Sequence, residues 1–255
     1  FVGKPRYVWI DASANFRFYA NDKEQIASDV RKIKAVGFTD IIVDVRPTEG
    51  TVLFNSATAP QARRLAAWVD GKYKFVSRTA DFDYLQAFID AGHEAGLRVN
   101  AAMNTFVCGY GGYYGLESEG PIFSGEIPKE WASVVNGQDG LESSYYDGVQ
   151  GTVFMNPSNP KVRDYMLELI GELAGYDLDG IILDRCRYDD TGLQSDFSQE
   201  SRTAFEQYVG SAVENWPSDI FKPGTSDLPR SLTTLQKSWM SFRVKTIHDF
   251  VEAAS

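Results

Sequence analysis

The sequence predicts an α/β protein built on a parallel sheet. Short apolar runs recur along the chain, each is followed by a stretch of helical period, and the longest run is β-branched. Tyr7-Val8-Trp9-Ile10-Asp11 is the first predicted strand, ending in an acid and followed by a polar loop. A helix is predicted over Lys23–Val36, with Asp22 as N-cap, Ile26, Val30 and Ile33 on one face, and Gly37 as the stop. Asp40-Ile41-Ile42-Val43-Asp44-Val45-Arg46-Pro47 is the second strand, since a strand buried on both faces needs such a run. The third repeat pairs a helix over Asp83–Ala95, closed by Gly96, with a strand over Leu97–Asn104. The fourth pairs a helix over Pro160–Ala174, with proline at its first turn, with a strand over Gly180–Asp184. Helices over Gln199–Val213 and Leu232–Ala254 follow, joined by a Pro/Gly/Ser-rich segment and with no fifth strand between them. Strands alternating with single helices mean βαβ units with right-handed crossovers.

Two connections exceed the usual length of about 2–6 residues: Pro47 to Phe82 and Thr105 to Gln150. Both leave the carboxyl ends of strands, the edge at which parallel α/β folds build ligand sites from loops. The first contains Asp70-Gly71, a hairpin turn between alternating residues. The second is rich in glycine and tyrosine, with Tyr113, Tyr114, Tyr145 and Tyr146 as candidate sugar-stacking rings and Trp68 and Trp131 behind them. No linker divides the 255 residues, which read as one domain over 1–255.

Four consecutive strands end in polar residues at one rim: Asp11, Asp44 with Arg46, Asn104, and Asp184 with Arg187 just beyond it. A doubly buried strand does not end in a charge without a partner or a ligand. Local ion pairs are the alternative for each residue alone. The loop acids Asp189, Asp190 and Asp196 form either a solvated acidic loop or an oxygen-ligand cation site.

Composition removes other classes. A net charge of −10 excludes a general phosphate-backbone binder, so nucleic acid is not an expected partner, while neutral or cationic partners fit. No apolar run has the length of a membrane span. His93 and His248 are too few for a metal cluster or a triad and read as surface or packing residues. Walker, dinucleotide and nucleophile-elbow motifs are absent, so no cofactor and no metal are expected. A lyase of the aldolase kind would need a strand lysine, and the four strands carry none inside. What remains is carboxylate chemistry beside aromatic platforms, the equipment of glycoside hydrolysis.

Tyr176-Asp177-Leu178-Asp179-Gly180-Ile181-Ile182-Leu183-Asp184-Arg185-Cys186-Arg187-Tyr188 resembles the fourth-strand signature of the glycosyl-hydrolase-like ten family. The segments Asp40–Pro47 and Met155–Arg163 resemble its second strand and the Asn-Pro start of its third helix, so the likeness runs over nearly the whole chain. The resemblance implies a (β/α)8 TIM-type barrel, of which this chain holds the first four to five βα units, with long loops after strands two and three. It also implies a bacterial protein, secreted or periplasmic, with any anchoring N-terminal segment removed, and an oligo- or polysaccharide substrate. By position Asp184 corresponds to the nucleophile of amylase-like relatives, with Asp11, Asp44, Arg46, Asn104, Arg187 and the four loop tyrosines as substrate contacts. The pattern departs at Ile182, where those relatives carry arginine, and in lacking their strand-five acid/base. Three alternatives stay open for the second acid: it lies beyond residue 255, a loop acid such as Glu49, Glu117, Asp189 or Asp190 substitutes, or the protein binds carbohydrate without cleaving it. Cys108 and Cys186, just beyond neighbouring strands, either pair across the rim or remain thiols. Oligomeric state is not legible.

Overall fold

The computed structural model describes residues 3–112 and 115–255 of the chain. Four parallel strands form the central sheet in the order β1 (Tyr7–Ile10), β2 (Asp40–Arg46), β5 (Arg98–Asn104), β10 (Gly180–Asp184). Every ladder is parallel, with Trp9 beside Ile42, Ile42 beside Asn100, and Asn100 beside Gly180. The α/β reading and all four predicted strands therefore stand.

The helices pack on one side of this sheet. Ile41, Val43 and Val45 of β2 alternate with Val99, Ala101 and Met103 of β5 toward the main core. They meet Ile26 and Val30 of α2 (Lys23–Ala35), Leu85, Phe88 and Ile89 of α3 (Tyr84–Glu94), and Met166, Leu169 and Leu173 of α5 (Pro160–Ala174). Asp22, Asp83 and Asn159 cap these three helices by accepting backbone N–H bonds, as short polar side chains do at N-caps. The segment after β1, predicted as a polar loop, is instead α1 (Ala12–Tyr19): Asp11 caps it through Ala14 N, and Ala12, Phe16 and Tyr19 turn inward.

The long connections are β-ribbons. The first is the hairpin β3 (Arg64–Val69) and β4 (Lys72–Ser77), turned at Asp70 and Gly71, both with positive φ. The second contains β6 (Val107–Gly111) paired with β9 (Gly151–Phe154), enclosing a short helix α4 (Pro121–Ser124) and the hairpin β7 (Val134–Gly137) and β8 (Gly140–Ser143). After β10 come α6 (Gln199–Val209), stopped four residues earlier than predicted by left-handed Gly210, and α7 (Thr234–Ala253). These build a second, smaller core in which Trp239 stacks on Phe197 at 4.9 Å with Phe205 and Phe242 around it. Phe250 of α7 joins that region to the main core by packing on Phe106 at 4.9 Å.

The rim of the sheet is locked by Arg46, which corrects its expected role as a substrate contact. A register shift between Asp44 and Arg46 brings the arginine opposite Met103 rather than in simple alternation with Asp44. Its guanidinium is fully buried and donates to the backbone carbonyls of Asn104, Thr105 and Val107, the last at 2.7 Å. Asn104 returns the contact from Nδ2 to the Arg46 carbonyl at 2.9 Å. Arg46→Met removes the charged side-chain donor from three buried carbonyls, and each lost bond to a charged group costs about 1–3 kcal/mol. Urea denaturation should therefore show the variant less stable by at least about 3 kcal/mol.

Candidate functional site

A cavity of about 250 Å³ opens beyond the carboxyl ends of the parallel strands. Each strand contributes to it from the segment that follows: Ser13 after β1, Thr48 and Glu49 after β2, Tyr110 in the ribbon after β5, and Arg185 after β10. The β3–β4 hairpin supplies a wall through Ala66 and its cross-strand neighbour Phe75, with Tyr73 on the same face. Gly120, at φ +119°, holds the acidic segment Glu117–Glu119 against the Glu49 backbone, where an added Cβ would meet the Glu49 carbonyl.

Glu49 is the central carboxyl group. Only 4% exposed, it has the Thr48 hydroxyl at 3.5 Å as a weak donor. Burial, with the charge of Glu119, pushes its pKa up to about 7. Asp44, below it on the strand, is also pushed up to about 7 by burial and by the charge of Asp11. Its Oδ2 accepts Ala12 N at a long 3.5 Å, while Oδ1 is buried without a close donor. Glu119 and Glu117, in contrast, are engaged by Arg64, whose Nε and Nη2 donate to them at 2.7 Å each. Arg64 in turn lies over the Phe75 ring at 4.1 Å.

Asp184 ends β10 exposed to solvent, its Oδ1 accepting the Arg185 N–H at 2.7 Å. It turns neither toward the helices nor into an ion pair, but Arg185 rather than Asp184 lines the cavity. Arg185 adopts φ +45°, a strained setting for a side chain of its size, and donates from Nη1 to Thr152 Oγ1 at 3.0 Å.

Other predicted contacts lie elsewhere. Asp11 is outside the cavity lining and accepts the α1 N-cap bond at 2.7 Å, though its charge acts on Asp44 and Glu49. Arg187 pairs with Asp190 at 2.8 Å and faces α7, away from the cavity, over the Phe154 ring. Tyr145 packs on Phe123 at 5.5 Å with Lys129 over its ring, whereas Tyr146 is 60% exposed. Tyr113 and Tyr114 lie outside the described residues. Trp131 packs on Tyr165 and Trp68 on Tyr73.

Of the acids after β10, Asp190 is solvated and paired with Arg187, whereas Asp189 and Asp196 are buried and bonded within the protein. Asp189 accepts hydroxyl bonds from Ser133 at 2.7 Å and Ser195 at 2.6 Å, and Asp196 from Ser198 at 2.5 Å and Ser201 at 2.6 Å. Both are buried and their oxygens are filled by protein donors. Among the described residues no group of three or more His, Cys, Asp or Glu side chains could hold a metal ion. Cys108 and Cys186 are free thiols, and His93 bridges Asp177 and Asp179 at the opposite end of the sheet. The sequence reading missed Ala66, Tyr73 and Phe75, whose signal is the period-2 alternation of the β3–β4 hairpin that puts them on one face, and Glu119, which carries no comparable local signal.

The family described as Glycosyl hydrolase-like 10 matches residues 4–255. An S-layer-related protein of Niallia circulans is 33% identical over 264 residues, a match that takes in 98% of this chain and 15% of that protein. The structure of alpha-L-fucosidase isoenzyme 2 from Paenibacillus thiaminolyticus superposes on 99% of this chain and 30% of its own, with TM-score 0.61 at 16% identity, a likeness of fold. No described helix is long and apolar enough to cross a membrane.

The two raised carboxyl groups tie stability to pH. The folded state holds their protons more tightly than the unfolded chain, whose carboxyl groups titrate near pH 4. Their contribution is complete below about pH 4 and is lost as pH rises through about 7; Asp196, raised to about 6 by burial, acts in the same direction. Denaturation at pH 5 and pH 8 should show the wild type less stable at the higher pH by roughly 2 kcal/mol or more, and Glu49→Gln should reduce that difference.

Proposed function

The chain belongs to the glycosyl hydrolase-like 10 family, and on that premise we propose that it is a glycoside hydrolase acting on oligo- or polysaccharide. The observation that carries this reading is a buried carboxyl group, protonated up to about pH 7, in an aromatic-walled cavity at the carboxyl end of a parallel sheet. In this reading Glu49 donates a proton to the glycosidic oxygen as it leaves. Asp184, exposed and steadied by the Arg185 N–H, attacks the anomeric carbon or activates water. Burial and the charge of Glu119 keep the proton affinity of Glu49 high, and Asp11 and Asp44 accept sugar hydroxyl bonds. Arg46 and Asn104 hold the rim.

The same reading takes the four strands as consecutive βα units of a TIM-type barrel, supported by the fold likeness to the fucosidase. It places the protein outside the cytoplasm, at or near the bacterial surface, supported by the name of the Niallia relative. One observation favours a second reading, a carbohydrate-binding protein without turnover: Glu117 and Glu119 are occupied by Arg64, and Asp184 stands beside the cavity rather than in its lining.

Reducing-end release from a panel of plant, fungal and bacterial polysaccharides separates the two. On the cleaved substrate, Glu49→Gln and Asp184→Asn should each lower kcat by about 100-fold or more, the scale of a general-acid contribution, while binding persists. Turnover that survives Glu49→Gln undiminished refutes the assignment of the acid. Binding of a polysaccharide with no release from any member of the panel favours the second reading.

A further inference from the structure

A second groove, of about 360 Å³, lies beside the cavity described above, and the two share a wall. Tyr110, which lines the first, and Thr152, which lines the second, are direct partners across the β6–β9 ladder. Arg185 lines the first cavity and reaches the second through its 3.0 Å bond to Thr152 Oγ1. The strained backbone at Arg185 therefore sits at the junction of the two spaces. The first cavity alone falls below the roughly 300–1,000 Å³ typical of small-molecule sites, and the groove more than doubles the room available.

The chemistry of the groove suits a sugar. Tyr146, 60% exposed, offers a ring face at its edge. The hydroxyls of Ser143, Ser144 and Thr191 line it together with the Glu142 carboxylate, while the Asp190 carboxylate at its edge is paired with Arg187. No lysine or arginine lines the groove itself; Arg185 and Arg187 reach its margin but are engaged by Thr152 and Asp190, so the field inside it is set by Glu142 and the chain's net charge of −10. Anionic sugars are repelled by such a lining, whereas neutral or amine-bearing ones find acceptors.

Resting on the glycoside reading, we infer that the groove is a second subsite, which takes further units of a linear chain of neutral or amine-bearing sugars running past Arg185 from the first cavity. The substrate is then an extended polymer engaged across the Arg185–Thr152 junction rather than a terminal unit held in a closed pocket.

Calorimetric titration of the wild type and Tyr146→Ala with cello-, malto- and chitosan oligosaccharides of one to six units, and with oligogalacturonates, tests this. In the series that binds, affinity should rise at least about tenfold between two and six units, equivalent to ~1.4 kcal/mol. Tyr146→Ala should remove most of that rise, with the loss confined to the longer chains. Binding of short members with no gain on lengthening overturns the second subsite and leaves the glycoside reading standing. Equal losses for short and long chains in Tyr146→Ala also overturn it. Tighter binding of oligogalacturonates than of any neutral or amine-bearing series overturns the assigned sugar class. Failure of every series to bind removes the carbohydrate reading itself, and the subsite with it.

Discussion

The buried guanidinium of Arg46 is the constraint on which the carboxyl-end rim depends. It carries a full charge into the protein interior, where desolvation is costly, and it faces backbone carbonyls rather than a carboxylate. Its bonds to Asn104, Thr105 and Val107 fasten the end of β2 to the turn between β5 and β6. The Asn104 side chain closes the contact in the other direction. Once these two strand ends are pinned, the loop that carries Glu49 and the ribbon that carries Tyr110 leave the sheet from fixed points. The cavity inherits its shape from that fastening.

Buried carboxyl groups in this protein fall into two kinds, and hydrogen-bond saturation separates them. Asp189 and Asp196 have their oxygens filled by serine and threonine hydroxyls and backbone N–H groups. They staple the segment after β10 to the β7–β8 hairpin. Glu49 and Asp44 are as deeply buried but more thinly supplied: each has one 3.5 Å contact and the pull of a further backbone N–H, and on Asp44 one oxygen lacks a close donor. A thinly supplied acid of this kind costs stability, and such costs concentrate where a protein does chemistry. That contrast, more than burial itself, sets the Glu49 cavity apart from the rest of the molecule.

How far the sequence could be read follows from the range of each interaction. The β-branched run of β2 and the proline that starts α5 are local signals, and both elements lie where they were expected. The α1 helix was equally legible, since Ala12, Phe16 and Tyr19 follow helical spacing, but Asp11 was taken as a strand end rather than a cap. Arg46 was misassigned for a different reason. A polar residue at a strand end reads the same whether it faces a ligand or a carbonyl about sixty residues away. The partners of Asp189 and Asp196 include Ser133 and Val134, again distant in the chain, so no local pattern told these bonded acids from those of the cavity. Glu49 was visible only as one of several loop acids.

The outer margins of the sheet carry one more implication. Among the described residues β1 and β10 each pair on one side only, and Tyr7 and Trp9 of β1 are 52% and 44% exposed. A parallel margin of this kind is a template with its backbone donors and acceptors already aligned. A strand arriving at either side, whether from the same polypeptide or from another copy, would extend the ladder and cover those rings without disturbing the helices already packed behind. Growth of the architecture thus requires addition at a boundary and no rebuilding of the interior.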